Sequence, residues 1–153
     1  MRPLRIYTDT SVIGGCFDRV FAADSTRFFQ AVVRGQVVLL LSEIVLRELE
    51  DAPTRVRALL TSLPRTAVER VEITEEVLEL RDAYIKAKIL TPRSANDAAH
   101  VAAATIARAD AIVSWNFRHI VRLDKMKAYN QINLLHGYGI LTIISPKEVS
   151  VDE

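Results

Sequence analysis

Cysteine is almost missing from this chain: Cys16 stands alone among 153 residues, so no internal disulfide can form, and the scarcity suits a reducing interior. Long hydrophobic runs are missing too. The strongest, such as Val37 to Leu41, fall far short of the ~20 apolar residues that a bilayer-spanning helix requires. The stretch Met1-Arg2-Pro3-Leu4-Arg5 has charge but not the apolar core of a secretory leader. A cytoplasmic protein, away from membranes, is the expectation. Neither sign of charge dominates: 20 basic against 19 acidic residues leave a net charge of +1, so any affinity for nucleic acid has to come from a local basic patch. No Gly-x-Gly-x-x-Gly follows the first apolar run, which removes the dinucleotide-binding fingerprint. The three histidines, His100, His119 and His136, lack the close spacing of a zinc site, so core or surface is the expected place of each. Only His119 falls near the chemistry considered below. Repeats, low-complexity segments and linkers are absent as well.

What is present is the composition of a globular domain, 50% hydrophobic and 25% charged, with enough length to bury a core without staples. One domain over 1–153 is expected. Short β-branched runs at Leu4 to Thr8, Val37 to Leu41, Ala67 to Ile73, Ala111 to Ser114 and Ile140 to Ile144 are separated by segments of helical spacing. All but the third are nearly all apolar, as strands buried on both faces are. Their alternation with helices predicts an α/β domain of three layers, α/β/α, around a parallel sheet. The third run alternates apolar with polar residues and reads as an edge strand. Asp24 to Arg27 offers a cap for a helix reaching Val33 and ended by Gly35, and Ser42 a cap for a helix through about Asp51. Thr74 caps a helix toward Lys88, and Ser94 one over Ala95 to Ala107. Val56 to Leu63 and most of Phe117 to Leu135, the latter with a break, complete the helices.

Three acids stand out from this frame. Asp9 closes the first apolar run, at the carboxyl edge where open α/β sheets carry their ligand crevice; a turn cap is the plain alternative. Glu48 projects about 40° beyond Ile44, between Ile44 and Val45, onto the arc that its helix turns inward. An inward carboxylate needs a cation, a donor or a metal, unless it lies at the arc's edge and reaches solvent. Asp97 sits early in a helix of small residues that should be deeply buried, with Asn96 and His100 beside it; stabilising the helix dipole would also use an acid there. One hard cation bound by carboxylate oxygens accounts for all three together, and Mg2+ or Mn2+ suits such ligands.

On these residues the chain resembles the PIN-domain ribonucleases, and among them the VapC-type toxins of bacterial toxin–antitoxin pairs. The likeness rests on Asp9-Thr10-Ser11 after the first strand, Ser42 followed by Glu48-Leu49, Asp97 in an Ala-rich helix, and Ile112-Val113-Ser114-Trp115-Asn116 at the fourth strand. It spans nearly the whole length. The resemblance implies a five-stranded parallel sheet of order 3-2-1-4-5, Mg2+-dependent hydrolysis of RNA phosphodiester bonds, homodimers and a small antitoxin partner. It also implies that Asp9, Glu48 and Asp97 hold the metal, directly or through water, that Thr10, Ser11 and Ser114 orient a ligand or contact phosphate, and that Asn116 positions the attacking water.

The sequence departs from the family pattern at one point. Many members carry a fourth acid in a T-x-D segment, where this chain has Ser114-Trp115-Asn116 followed by Phe117-Arg118-His119. Asn116 brings an oxygen but no charge, which argues against a second metal. Asp110 precedes the same strand and belongs at the opposite edge, and Asp124 follows Asn116 by eight residues. For the RNA, Arg118, Arg122, Lys125 and Lys127, with His119 between, form a basic cluster, and Asn130, Gln131 and Asn133 add polar reach; a solvated helix face would look the same. Trp115 either stacks on a base or packs beside the strand. A haloacid-dehalogenase-type phosphatase would need D-x-D after the first strand, and Ser11 stands in the second acid's place. The non-enzymatic rival is a PIN-like fold kept as an inactive RNA-binding or protein-interaction module.

Overall fold

Five strands, β1 (Leu4–Thr8), β2 (Val37–Ser42), β3 (Val68–Val71), β4 (Ala111–Val113) and β5 (Thr142–Ile144), pair in parallel throughout, in the order β3-β2-β1-β4-β5. The computed structural model describes residues 2–149; Met1 and residues 150–153, the ends of the expected 1–153 domain, lie outside it. Alternate side chains of the apolar strands leave on opposite faces, as the period of two requires. Ile6, Leu39, Leu41 and Val113 join one core, and Tyr7, Leu40 and Ile112 join the other. The first core is covered by α1 (Thr10–Gly15), α2 (Ala22–Val33), α3 (Glu43–Glu48) and α4 (Thr54–Thr61). The second is covered by α5 (Glu75–Lys86), α6 (Ala95–Ile106) and α7 (Leu123–Leu135). The three-layer α/β/α fold expected from the sequence is therefore the fold observed. Among the described residues no helix is long and apolar enough to cross a membrane.

Local chemistry explains most of the boundaries. Ser42 and Thr74 cap α3 and α5, accepting the backbone N–H of Val45 and Val77. Gly35, at φ +79°, turns the chain after α2 in the left-handed region that glycine occupies without strain. Two expected caps fail. Helix α2 begins before Asp24, because the turn in which the Asp18 carbonyl accepts from Phe21 and Ala22 runs straight into it. Ser94 belongs to a 3-10 turn, Pro92–Ser94, and makes no capping bond; its hydroxyl lies 3.4 Å from His119 Nε2 instead. The break expected within Phe117 to Leu135 proves longer, since residues before Leu123 form turns and extended Arg122 delays α7. The outer strands are also shorter than their apolar runs, and β3 takes the edge position its alternation predicts. Helix α6 is buried from Ala98 to Thr105, its small side chains meeting α5 closely.

The register sets the carboxyl edge. Thr8 lies opposite Val113, which brings the next residues, Asp9 and Ser114, side by side, while Tyr7 opposite Leu40 places Ser42 two residues further on that edge. Beyond β4, Trp115 is buried rather than offered to a base: it stacks on Phe21 at 4.2 Å between ring centroids, and its Nε1 donates to Ser25 Oγ at 2.8 Å. Gly15 is what lets these groups meet. A Cβ there would lie 2.5 Å from Ser25 Oγ and 2.7 Å from Trp115 Nε1, closer than atoms can pack. Gly15→Ala is expected to cost about 1–3 kcal/mol by overpacking and by breaking the Trp115–Ser25 bond, read as a lower urea midpoint.

Candidate metal centre

At the carboxyl edge Asp9 is only 5% exposed. Its two oxygens are held from both neighbouring directions. Oδ1 accepts from Ser11 N at 3.2 Å and Ser11 Oγ at 2.6 Å, and Oδ2 accepts from Ser114 Oγ at 2.6 Å. Ser11 Oγ in turn accepts the backbone N–H of Trp115 at 2.9 Å, so the clasp ties the start of α1 to the end of β4. Asp9 is thus both the turn cap and a buried carboxylate. Burial pushes its pKa above the ordinary carboxylate value, against the bonds from Ser11 and Ser114 and the pull of His100; the negative charge of Asp97 pushes it up further.

Glu48 reaches the same place from the end of α3, with its side chain 34% exposed. Thr10 Oγ1 donates to Glu48 Oε1 at 2.8 Å, and His100 Nε2 lies 2.9 Å from the same oxygen. His100, expected to be an unremarkable core or surface residue, is instead a buried link at 2% exposure, and it lies nearer the acids' chemistry than His119. Its Nδ1 lies 2.7 Å from Tyr7 Oη, which lies 2.7 Å from Ser42 Oγ. A carboxylate only accepts, so Nε2 carries the hydrogen toward Glu48, while Nδ1 accepts from Tyr7 Oη in the neutral ring and donates to it in the charged one. Partial burial alone would raise the Glu48 pKa, but the bond and charge of His100 and the Thr10 hydroxyl outweigh it and hold the carboxyl below its ordinary value. For Tyr7 the balance is the reverse: burial first, then Asp9 and Glu48, push its hydroxyl far above the usual tyrosine value.

Asp97 stands in the first turn of α6, half-buried, and makes no hydrogen bond or ion pair among the described residues. Asn96 beside it is exposed. The structure thus brings Asp9 into electrostatic reach of Asp97 and links Glu48 to Asp9 through the adjacent Thr10. It does not draw the acids into a ready-made cage. Among the described residues no three His, Cys, Asp or Glu side chains are gathered closely enough to hold a metal. The donor set nevertheless fits a hard cation. Asp9 is buried without a Lys or Arg partner, and Asp97 and Glu48 Oε2 carry no hydrogen bond among the described residues. Mg2+ commonly takes one or two carboxylates and completes its shell with water, which these oxygens permit without a three-acid cage.

Other expected roles change with the geometry. Thr10, Ser11 and Ser114 spend their hydroxyls on Glu48 and Asp9, orienting acids rather than standing free for phosphate. Asn116 Oδ1 accepts from the backbone of Arg118 at 3.2 Å and His119 at 2.9 Å, so its carbonyl closes a turn and only the NH2 remains. Of the basic cluster, Arg122 is bound in a two-pronged pair by Asp124, and Lys125 donates its ammonium to the Ile89 carbonyl; Arg118 and exposed Lys127 have side chains without an acidic partner among the described residues. Asp124 is therefore engaged away from the acids, and Asp110 pairs with Arg2 at the amino edge. Asn133 is buried against Tyr84 and Thr105, and Asn130 holds the backbone of Leu141, so neither supplies polar reach.

A family model for the PIN domain matches residues 5–118, a span that contains Asp9, Glu48, Asp97 and Asn116. The chain belongs to the PIN-domain family, whose members are generally nucleases that use divalent metals. No curated protein matches the chain.

Two outcomes test the electrostatics. A folded-state pKa raised above the unfolded value means that the proton on Asp9 stabilises the fold at low pH and that this contribution is lost as pH rises through the folded value. In metal-free urea unfolding, the parent is expected to lose stability relative to Asp9→Asn as pH rises from about 4 to about 7. His100→Phe strips Glu48 and Tyr7 of their partner and is expected to cost about 2–4 kcal/mol by the same measurement.

Proposed function

We propose that the protein is a Mg2+- or Mn2+-dependent ribonuclease that hydrolyses RNA phosphodiester bonds. The observation that carries this reading is the buried Asp9, without a Lys or Arg partner among the described residues and within electrostatic reach of Asp97, at the carboxyl edge of a PIN-family sheet. Each residue has a part that its contacts support. Ser11 and Ser114 fix the Asp9 carboxylate, which keeps one lone pair of Oδ2 for a ligand. Thr10 and His100 fix Oε1 of Glu48 and leave Oε2 outward of both bonds. Asp97 brings its carboxylate from the first turn of α6, where the helix dipole favours it. Asn116 offers its NH2 to hold a water near the phosphate while its carbonyl keeps the turn. When bound, Mg2+ or Mn2+ supplies positive charge at the phosphate and makes water more acidic.

The finer parts of the reading go with it: one domain over 1–153, acting in the cytoplasm as a homodimer and as the toxin of a pair with a small antitoxin protein. The VapC-like residue pattern supports them. Expression of the protein alone should then arrest growth, and Asp9→Asn should relieve the arrest.

A catalytically impaired module that binds RNA or protein is the second reading. Two observations favour it: the neutral Asn116 with its carbonyl already spent, and the lack of a gathered metal cluster among the described residues. Calorimetric titration with Mg2+ and Mn2+ separates the two, since the impaired module has no need to bind either ion. On the ribonuclease reading, Asp9→Asn lowers metal-dependent cleavage of single-stranded RNA by at least about a hundredfold, with circular dichroism unchanged. Equal cleavage by parent and variant in a nuclease-free preparation would sink it.

A further inference from the structure

The connection between α5 and α6, the turn after β4 and the start of α7 line an open cavity of about 800 Å3. That volume falls within the range of sites that seat small ligands. Its rim carries Lys88, Arg93, Arg118, His119 and Lys125 and no acid at all. Lys88, Arg93 and Arg118 have no acidic partner among the described residues, whereas Arg122, four residues after Arg118, is paired with Asp124. Like charges gathered around a concave surface without counter-charge repel one another and raise the local potential, so they hold an anion better than they hold the fold. The lining also holds Ile85, Ile89 and Pro92, which give it apolar surface.

Two short stretches of chain tie the cavity to the candidate metal centre. Ser94, in its wall, is three residues before Asp97, and Arg118 is two residues after Asn116. Ser94 Oγ and His119 Nε2, 3.4 Å apart, join these two walls. Cationic and apolar side chains lining one cavity fit a nucleotide, whose phosphate is anionic and whose base has an apolar face.

We propose that this cavity seats a nucleotide of the single-stranded RNA substrate next to the scissile bond, its phosphates on Lys88, Arg93 and Arg118 and its base against Ile85, Ile89 and Pro92. The proposal rests on the ribonuclease reading for the chemistry beside it. It replaces the basic cluster as the sequence displays it. Arg122 is neutralised by Asp124, and Lys127 is not in the cavity wall, while Lys88 and Arg93 enter from a segment some thirty residues away in sequence. Contacts of this kind fix the strand's register without reading its sequence.

The test uses the full chain carrying Asp9→Asn, so that RNA is bound and not cut, and a short fluorescein-labelled single-stranded RNA followed by anisotropy across a salt series. Into it go Lys88→Asn, chosen because Lys88 has φ +62° and asparagine tolerates that conformation, and Arg93→Gln at an exposed position. With both phosphate contacts gone, affinity is expected to fall about tenfold, and the slope of log affinity against log salt to become shallower by about 1.4. Arg65→Gln, exposed at the start of the β3 segment and away from the cavity, should change neither. An unchanged affinity and slope in the double variant overturns the proposal, as does an equal loss with Arg65→Gln. If the wild-type chain fails to cut RNA with Mg2+ or Mn2+ while the double variant still binds more weakly, the nuclease reading falls and the cavity stands. If the wild type cuts and the double variant binds as before, the reverse holds.

Discussion

The burial of Asp9 is the constraint around which this edge of the molecule is organised. A carboxylate removed from water is costly unless donors answer it, and here the donors are two hydroxyls and one backbone N–H, with no lysine or arginine partner among the described residues. Those hydroxyls come from two elements that only the β1–β4 register brings together. Ser11 arrives on the helix that follows β1, and Ser114 on the residue that follows β4. Their bonds leave Asp9 raised in pKa and still open at one oxygen, a state that an added cation relieves. The candidate metal site and the β1–β4 junction are in this sense one structure.

A second chain of polar groups runs from Ser42 through Tyr7 and His100 to Glu48, and it crosses the sheet from β2 to α6. The carboxylate at its end only accepts, which fixes the direction of the His100–Glu48 link. This is why Glu48 has a defined position although a third of its side chain is exposed. The fold surrenders little for it: Tyr7 packs its ring in the core and uses only its hydroxyl in the chain. Two acids on different elements are thereby held by internal hydrogen bonds before any ligand arrives, whereas Asp97 is positioned by its helix alone.

Much of the fold could be read from local pattern. Strands buried on both faces must be mostly apolar, as β1, β2 and β4 are outside Arg5, Thr8 and Ser42, while β3 betrays its edge position by alternating. Caps were legible where the residue before the helix is extended, as at Ser42 and Thr74, because such a side chain meets the free N–H groups without competition. At Asp24 and Ser94 a preceding turn already leads into the helix, and the capping signal misleads. His100 went unread for a related reason. A single histidine in an alanine-rich helix carries no spacing signal, and its partners, Tyr7 and Glu48, are 93 and 52 residues distant.

By itself, the sequence determined the parallel three-layer architecture and marked the three acids as candidates, since apolar periodicity and carboxylates at strand and helix ends are local properties. Tertiary structure alone decided what each polar group does. It turned Ser11 and Ser114 toward Asp9, and it closed the Asn116 carbonyl into a turn. It also neutralised Arg122 while gathering Lys88, Arg93 and Arg118 around one cavity. Hydrogen bonds and charge pairs act over a few ångströms of space, and the chain's order fixes those distances only after it has folded.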